Sequence, residues 1–123
     1  MKTRTLFVAS ISAALFATLA HADPAPKLVG GMLANAVGKT LYTFDKDTAG
    51  SGKSVCNDTC AALWPPAVAS AEAKDDKTLS VITRGDGSKQ WALDGRPLYT
   101  YVQDQKAGDM LGDGFKSVWH VAK

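Results

Sequence analysis

The sequence carries one ten-residue segment twice: GKTLYTFDKD at residues 38–47 and GRPLYTYVQD at residues 95–104. The copies are 57 residues apart (95 − 38), and five of the ten positions are identical. Two more are chemically similar, Lys39 with Arg96 and Phe44 with Tyr101. A repeat of this length indicates one supersecondary unit used twice. We therefore expect a single domain made of two related halves, about residues 28–66 and 78–123.

Both halves have the composition of β-strands separated by turns. Segments rich in Thr, Val and aromatic residues predict strands at 28–35, 39–44, 78–84, 89–93, 96–102 and 117–122. Asp94-Gly95 is typical of a type I′ turn and predicts a hairpin there. One short helix is expected at 57–64, capped by Asn57 or Asp58 and ended by Pro65-Pro66. The segment 69–77 fits a surface loop or a short helix.

The expected fold class is therefore mainly β. It consists of two pseudo-symmetric antiparallel hairpin-based repeats packed face to face as one small domain, with one short helix. Residues 23–27 contain two prolines and predict a flexible leader.

The first 22 residues have the features of a secretory signal peptide. Lys2 and Arg4 precede an apolar run at 6–20, and Ala20-His21-Ala22 supplies a small-x-small cleavage site. Cleavage after Ala22 removes both cations, which changes the balance of 14 Lys+Arg and 12 Asp+Glu to 12 of each. We expect a periplasmic or secreted product that does not stay inserted in the membrane. A neutral chain also gives no reason to expect nucleic acid as a partner.

The two cysteines, Cys56 and Cys60, allow two interpretations. In an exported chain, an oxidising compartment favours a disulfide between them. Alternatively, the reduced thiols, together with His120 and Met110, provide soft and borderline ligands that would suit copper or support thiol-redox chemistry. We predict the disulfide and no cofactor, with copper as the alternative.

The repeated motif itself has a structural interpretation. Two aromatics at i and i+2 share one face of a strand and can be buried together, as Tyr42 with Phe44 and Tyr99 with Tyr101. The aspartates that end the copies, Asp47 and Asp104, are placed to accept backbone N–H bonds from the turn that follows.

The chain resembles the bacterial secreted repeat, or lipoprotein-repeat, family named for the pattern Tyr-x-aromatic-x-x-Asp. The resemblance rests on both motif copies and on the block Cys56-x3-Cys60 followed by Leu-Trp-Pro-Pro at 63–66. It implies an exported protein and supplies no catalytic residues. Many relatives attach lipid through a cysteine after the signal, and this sequence has none there.

No residue set predicts an enzyme. His120 is the only histidine after the signal, and no nucleophile motif accompanies it. We expect a non-catalytic binding module or an envelope-associated structural module, with an unknown protein or small molecule as partner. A further alternative is a binder of hydrophobic small molecules, accessory to their metabolism, with Tyr42, Phe44, Tyr99 and Tyr101 lining a groove.

Overall fold

The computed structural model describes residues 24–76 and 78–123, so the expected signal peptide lies outside the described residues. Eight short strands and one helix follow in chain order. They are β1 (Lys27–Val29), β2 (Met32–Ala34), β3 (Tyr42–Phe44), α1 (Thr59–Leu63), β4 (Val68–Ala69), β5 (Leu79–Thr83), β6 (Lys89–Leu93), β7 (Arg96–Pro97) and β8 (Trp119–Val121). The expected fold class, mainly antiparallel β with one short helix, is confirmed.

Each half begins with a hairpin. In the second half β5 pairs with β6, and Asp94 and Gly95 then turn the chain into β7 with positive φ at both residues, as a type I′ turn requires. In the first half, the single strand expected at 28–35 is wrong. Gly30 and Gly31, both at positive φ, divide it into the β1–β2 hairpin.

The two halves do not simply pack face to face. They also exchange their last strands. β8 of the second half pairs with β3 of the first, and β4 of the first half pairs with β6 of the second. The backbone bonds repeat the same pattern. Ala122 donates to Leu41 O at 2.8 Å, and Ala67 donates to Leu98 O at 2.9 Å. Each half is therefore completed by a strand of the other.

Two buried clusters lie on opposite sides of the motif strands. The aliphatic cluster contains Leu33, Leu41, Ala67, Ala69, Trp91, Leu98 and Ala122. The aromatic cluster contains Tyr42, Phe44, Cys56, Trp64, Tyr99, Trp119 and Val121. Because successive strand residues point to opposite faces, Leu41 and Tyr42 enter different clusters, as do Leu98 and Tyr99.

The remaining expectations need small corrections. The strand expected at 96–102 is confined to Arg96–Pro97, after which Tyr99 forms isolated bridges to Tyr42 and Pro66. The last strand is Trp119–Val121, preceded by a 3-10 turn at Phe115–Ser117. The helix is shorter than 57–64, and its N-cap Asp58 makes no side-chain capping bond. Among the described residues, no helix has the length and hydrophobicity needed to span a membrane.

Candidate functional site

The tyrosine of each motif copy bonds to the aspartate of the other copy. The Tyr42 hydroxyl donates to Asp104 Oδ2, and the Tyr99 hydroxyl donates to Asp47 Oδ2, both at 2.5 Å. All four side chains are buried. Between them, Tyr42 and Tyr99 exchange both backbone bonds at 2.8 and 2.9 Å. The two copies thus meet at a pseudo-twofold axis.

The second oxygen of each aspartate holds the loop that follows its own copy. Asp47 Oδ1 accepts from Val55 N at 2.7 Å, and Asp104 Oδ1 accepts from Leu111 N at 2.9 Å. Each carboxyl group thus accepts one bond from an O–H donor of the opposite half and one from an N–H donor of its own loop. Each carboxylate therefore ties one loop to the opposite half.

The environment of these tyrosines shifts their ionisation. Burial raises the pKa of both hydroxyls above the ordinary range. The hydrogen bonds to Asp104 and Asp47 raise the pKa of Tyr42 and Tyr99 further, because only the protonated hydroxyl can donate to the aspartate. Both groups stay protonated at neutral pH and serve as donors.

The aromatic residues form a continuous stack across the same axis. Trp64 and Trp119 lie face to face, with ring centroids 3.8 Å apart and planes 4° from parallel. Phe44 stacks on Trp119 at 4.2 Å, and Tyr101 stacks on Trp64 at 4.1 Å. Each motif aromatic thus stacks on the tryptophan of the other half. Tyr42, Phe44 and Tyr99 are buried in this cluster and do not line an open groove.

The cysteine pair closes a small loop beside this stack. Cys56 and Cys60 are joined in a disulfide, with their Cα atoms 5.2 Å apart. Cys56 is fully buried, and its carbonyl accepts a bond from Arg84 Nη2 at 2.7 Å.

The guanidinium of Arg84 holds the loop at residues 54–57 through hydrogen bonds. Its side chain is 8% exposed. Besides Cys56, Nη2 donates to Asn57 Oδ1 at 3.1 Å, while Nη1 donates to Ser54 Oγ at 3.0 Å and to Gln90 Oε1 at 2.8 Å. Gln90 is fully buried on β6, and its Nε2 donates to Leu98 O at 2.7 Å. All four acceptors of Arg84 are neutral.

Ser54 connects Arg84 to the crossed tyrosine–aspartate pair. Ser54 Oγ lies 2.6 Å from Tyr99 Oη. Because Tyr99 gives its proton to Asp47, Ser54 is the donor in this contact. On the other side of the axis, the hydroxyl of Tyr42 instead accepts a hydrogen bond from the backbone N–H of Gly112 at 3.3 Å. The two sides of the axis therefore differ: the Tyr99 hydroxyl contacts the side chain of Ser54 and through it Arg84, whereas the Tyr42 hydroxyl contacts a backbone N–H.

An open groove of about 850 Å³ lies over this asymmetric region. Most of its lining residues are of polar types, and they include two cations and two carboxylates. The charged and amide side chains of the lining, together with one hydroxyl, are those of Lys53, Ser54, Asn57, Asp58, Arg84 and Asp86. Asp86 is exposed, and the pKa of its carboxyl is lowered by hydrogen bonds from the Ser88 hydroxyl and backbone N–H. Three smaller cavities of 140 to 250 Å³ lie elsewhere, around β1 and the residues before it.

The residues considered for copper are not gathered into one site. The thiols of Cys56 and Cys60 are used in the disulfide, and Met110 is exposed. His120 Nε2 lies 2.8 Å from Asp45 Oδ2, with both side chains about half exposed. Among residues 24–76 and 78–123, no three His, Cys, Asp or Glu side chains converge as metal ligands would.

Sequence reasoning placed the motif residues and missed Arg84, Ser54 and Gln90. One signal was available. Ile82 and Arg84 are two residues apart at the end of a strand and so share its inward face, where an arginine is unusual. The partner of that arginine could not be read from spacing, because Ser54 lies 30 residues earlier in the chain.

Comparison with known proteins places the chain by its repeats. No significant match was found among curated proteins or among solved structures. One family model matches twice, over residues 27–68 and 80–123, so its two copies coincide with the two halves that exchange strands. The chain therefore belongs to the family described as a secreted repeat of unknown function.

Proposed function

We propose that this protein is an exported, non-catalytic binding module whose ligand occupies the groove over Arg84. One observation carries the proposal. The motif tyrosines and aspartates bond to one another in the interior, whereas polar residues of the loop at 53–58 and of the turn between β5 and β6 line an open groove. The motif builds the scaffold, and the loop at 53–58 presents polar side chains to solvent. The groove volume is within the range of about 300–1,000 Å³ typical of small-molecule sites.

The proposal includes the location of the protein. The family is described as secreted. The hydrophobic run and cleavage pattern of residues 1–22 support export to the periplasm or beyond. Neither nucleic acid nor a membrane is required as a partner.

Thermal unfolding in the presence of a library of small polar and apolar compounds tests the proposal, followed by recovery of each stabilising compound. We expect a compound that raises Tm, is recovered unchanged, and perturbs NMR signals of Lys53, Ser54 and Arg84. Conversion of the compound would contradict the non-catalytic assignment. Stabilisation confined to signals far from the groove would contradict its location.

The same experiment should include copper and apolar compounds, because binding of either would contradict this proposal. Tight Cu(I) binding by the reduced protein, abolished in His120→Ala, would replace it with the copper-binding alternative. Apolar compounds that bind by displacing Tyr101 from its stack on Trp64 would replace it with the hydrophobic-binder alternative.

A further inference from the structure

Arg84 is a buried cation without a direct carboxylate partner. Among the residues that the structure describes, the only ion pair within 4.0 Å joins His120 to Asp45. Arg84 is as buried as the core residues, yet its four bonds go to a hydroxyl, two side-chain amide oxygens and a backbone carbonyl. Neutral acceptors satisfy the hydrogen-bonding geometry of the guanidinium but put no negative charge in contact with it. The charge of Arg84 acts instead on the exposed Asp86, whose pKa is lowered most by the hydrogen bonds from Ser88 and further by Arg84. A buried charge in this state calls for an anion nearby.

The internal anion that comes nearest through hydrogen bonds is Asp47, and two neutral hydroxyls separate it from Arg84. The path runs from Arg84 Nη1 to Ser54 Oγ at 3.0 Å, then to Tyr99 Oη at 2.6 Å, then to Asp47 at 2.5 Å. Asp47 already accepts two bonds, from Tyr99 and Val55. Its charge is thus committed to the crossed pair and the loop.

Arg84 nevertheless faces the groove that its network supports. Its four bonds use the terminal N–H groups and leave the Nε–H as the remaining donor. The exposed Lys53 adds a second cation to the lining. Asp58 and Asp86 add two negative charges, so the formal charge of the lining is zero (two cations, two carboxylates). This balance disfavours a multiply charged anion and admits a singly charged one.

We infer that the groove binds a small organic molecule through its carboxylate, held by the charges of Arg84 and Lys53. This inference rests on the proposed function, because it assigns a ligand class to the same groove. Asn57 lines the same groove, and its amide is held in place because it accepts from Arg84 Nη2 and donates to Ser54 O at 3.3 Å.

Acetate is the minimal probe, titrated into the intact disulfide-bonded protein at constant ionic strength and followed by backbone amide NMR. We expect saturable shifts confined to residues 53–58 and 84–88. Lys53→Gln removes an exposed cation that makes no side-chain hydrogen bond in the described structure, and it should weaken acetate binding about two- to five-fold. Lys74→Gln, an equally exposed lysine outside the groove, is the matched control and should leave the affinity unchanged.

Arg84→Met should abolish the shifts, but it also removes four structural bonds, so the Lys53 variant decides the case if Arg84→Met fails to fold. Absence of saturable shifts, equal weakening by both lysine variants, or tighter binding of inorganic phosphate than of acetate would each overturn the inference. If a neutral compound binds the groove and acetate does not, the carboxylate assignment fails while the proposed binding function stands. If no compound binds the groove, both fail.

Discussion

At the scale of single residues, each motif position has one task, set by its partner in the other copy. Tyr42 and Tyr99 are completely buried, and their hydroxyls donate to the aspartates of the opposite halves. The aspartates in turn need those hydroxyls, because a buried carboxylate that loses a donor retains its desolvation cost. The motif is conspicuous in sequence because four buried polar groups depend on one another.

Tyr99→Phe tests this dependence. The substitution leaves Asp47 Oδ2 without its hydroxyl donor and removes an acceptor from Ser54, so we expect the free energy of unfolding to fall by about 1–3 kcal/mol. Urea denaturation measures the change. Tyr101→Phe is the control, since that half-buried hydroxyl makes no hydrogen bond in the described part of the chain. Equal losses in the two variants would show that the crossed bond contributes nothing special.

The raised pKa of both buried tyrosines predicts alkaline instability. In the unfolded chain a tyrosine ionises near pH 10, whereas in the folded protein the pKa of Tyr42 and of Tyr99 is higher. The folded state therefore holds more protons above pH 10, and stability, fully present below that pH, falls as pH rises. Each tyrosine adds a slope of up to about 1.4 kcal/mol per pH unit.

Urea denaturation at pH 9 to 11.5 measures this slope. The double variant Tyr42→Phe/Tyr99→Phe should be less stable at neutral pH and lose less stability as the pH rises. A slope unchanged by the double substitution would contradict the assignment of alkaline unfolding to these two groups.

At the scale of elements, the aromatic stack is packed tightly against a glycine of the loop that follows the second motif copy. A Cβ added to Gly112 would lie 2.5 Å from Trp64 Cη2 and 3.0 Å from Tyr101 Cδ1. Trp64 is buried and stacked between Tyr101 and Trp119, so its ring has little room to move. The loop of the second half therefore requires a residue without a side chain at this position.

Gly112→Ala should destabilise the protein by about 1–3 kcal/mol through overpacking. Differential scanning calorimetry measures the effect, and near-ultraviolet circular dichroism reports on the displaced tryptophans. Gly85→Ala is a matched control, because a Cβ there has no atom within 4 Å and the backbone does not require a glycine. A Gly112 variant as stable as the Gly85 variant would show that the stack tolerates the displacement.

These elements also show how far sequence alone reaches. Asp94-Gly95 fixed one hairpin, because few pairs accept positive φ at both turn positions. The hairpin at Gly30-Gly31 is hard to predict from sequence, because its two strands are only three residues long and show no strong alternation of apolar and polar residues. The bonding of Asp47 to its own following loop was foreseeable from turn chemistry. Its bond to Tyr99 was not, because pairing within a copy and pairing between copies leave the same pattern in the sequence.

At the scale of the whole molecule, exchange of the last strands makes the halves inseparable. β3 has no partner other than β8 among the named strands, and the two tryptophans stack only on residues of opposite halves. Neither half encloses a complete core by itself. The 42 and 44 residues matched by the family model are therefore half of a folding unit, and not a domain.

Fragments 24–76 and 78–123 test this statement. Each alone should be unfolded by circular dichroism, since each loses the donor or acceptor of a crossed pair together with one exchanged strand. Mixed at equal concentration, they should associate and restore the near-ultraviolet signal of the stacked tryptophans. A cooperative thermal transition in either fragment alone would show that the halves are independent.

The crossed pairs have a consequence for the ancestry of the chain. A protein with one copy of the motif could satisfy its tyrosine only on the aspartate of a second molecule, across a true twofold axis. Single-copy relatives should therefore be obligate homodimers, and gene fusion would convert the symmetric interface into the interior of one chain. A fused chain is also free of exact symmetry, and the two sides of the axis do differ here: the Ser54–Arg84 network lies beside Tyr99 and the backbone contact of Gly112 beside Tyr42.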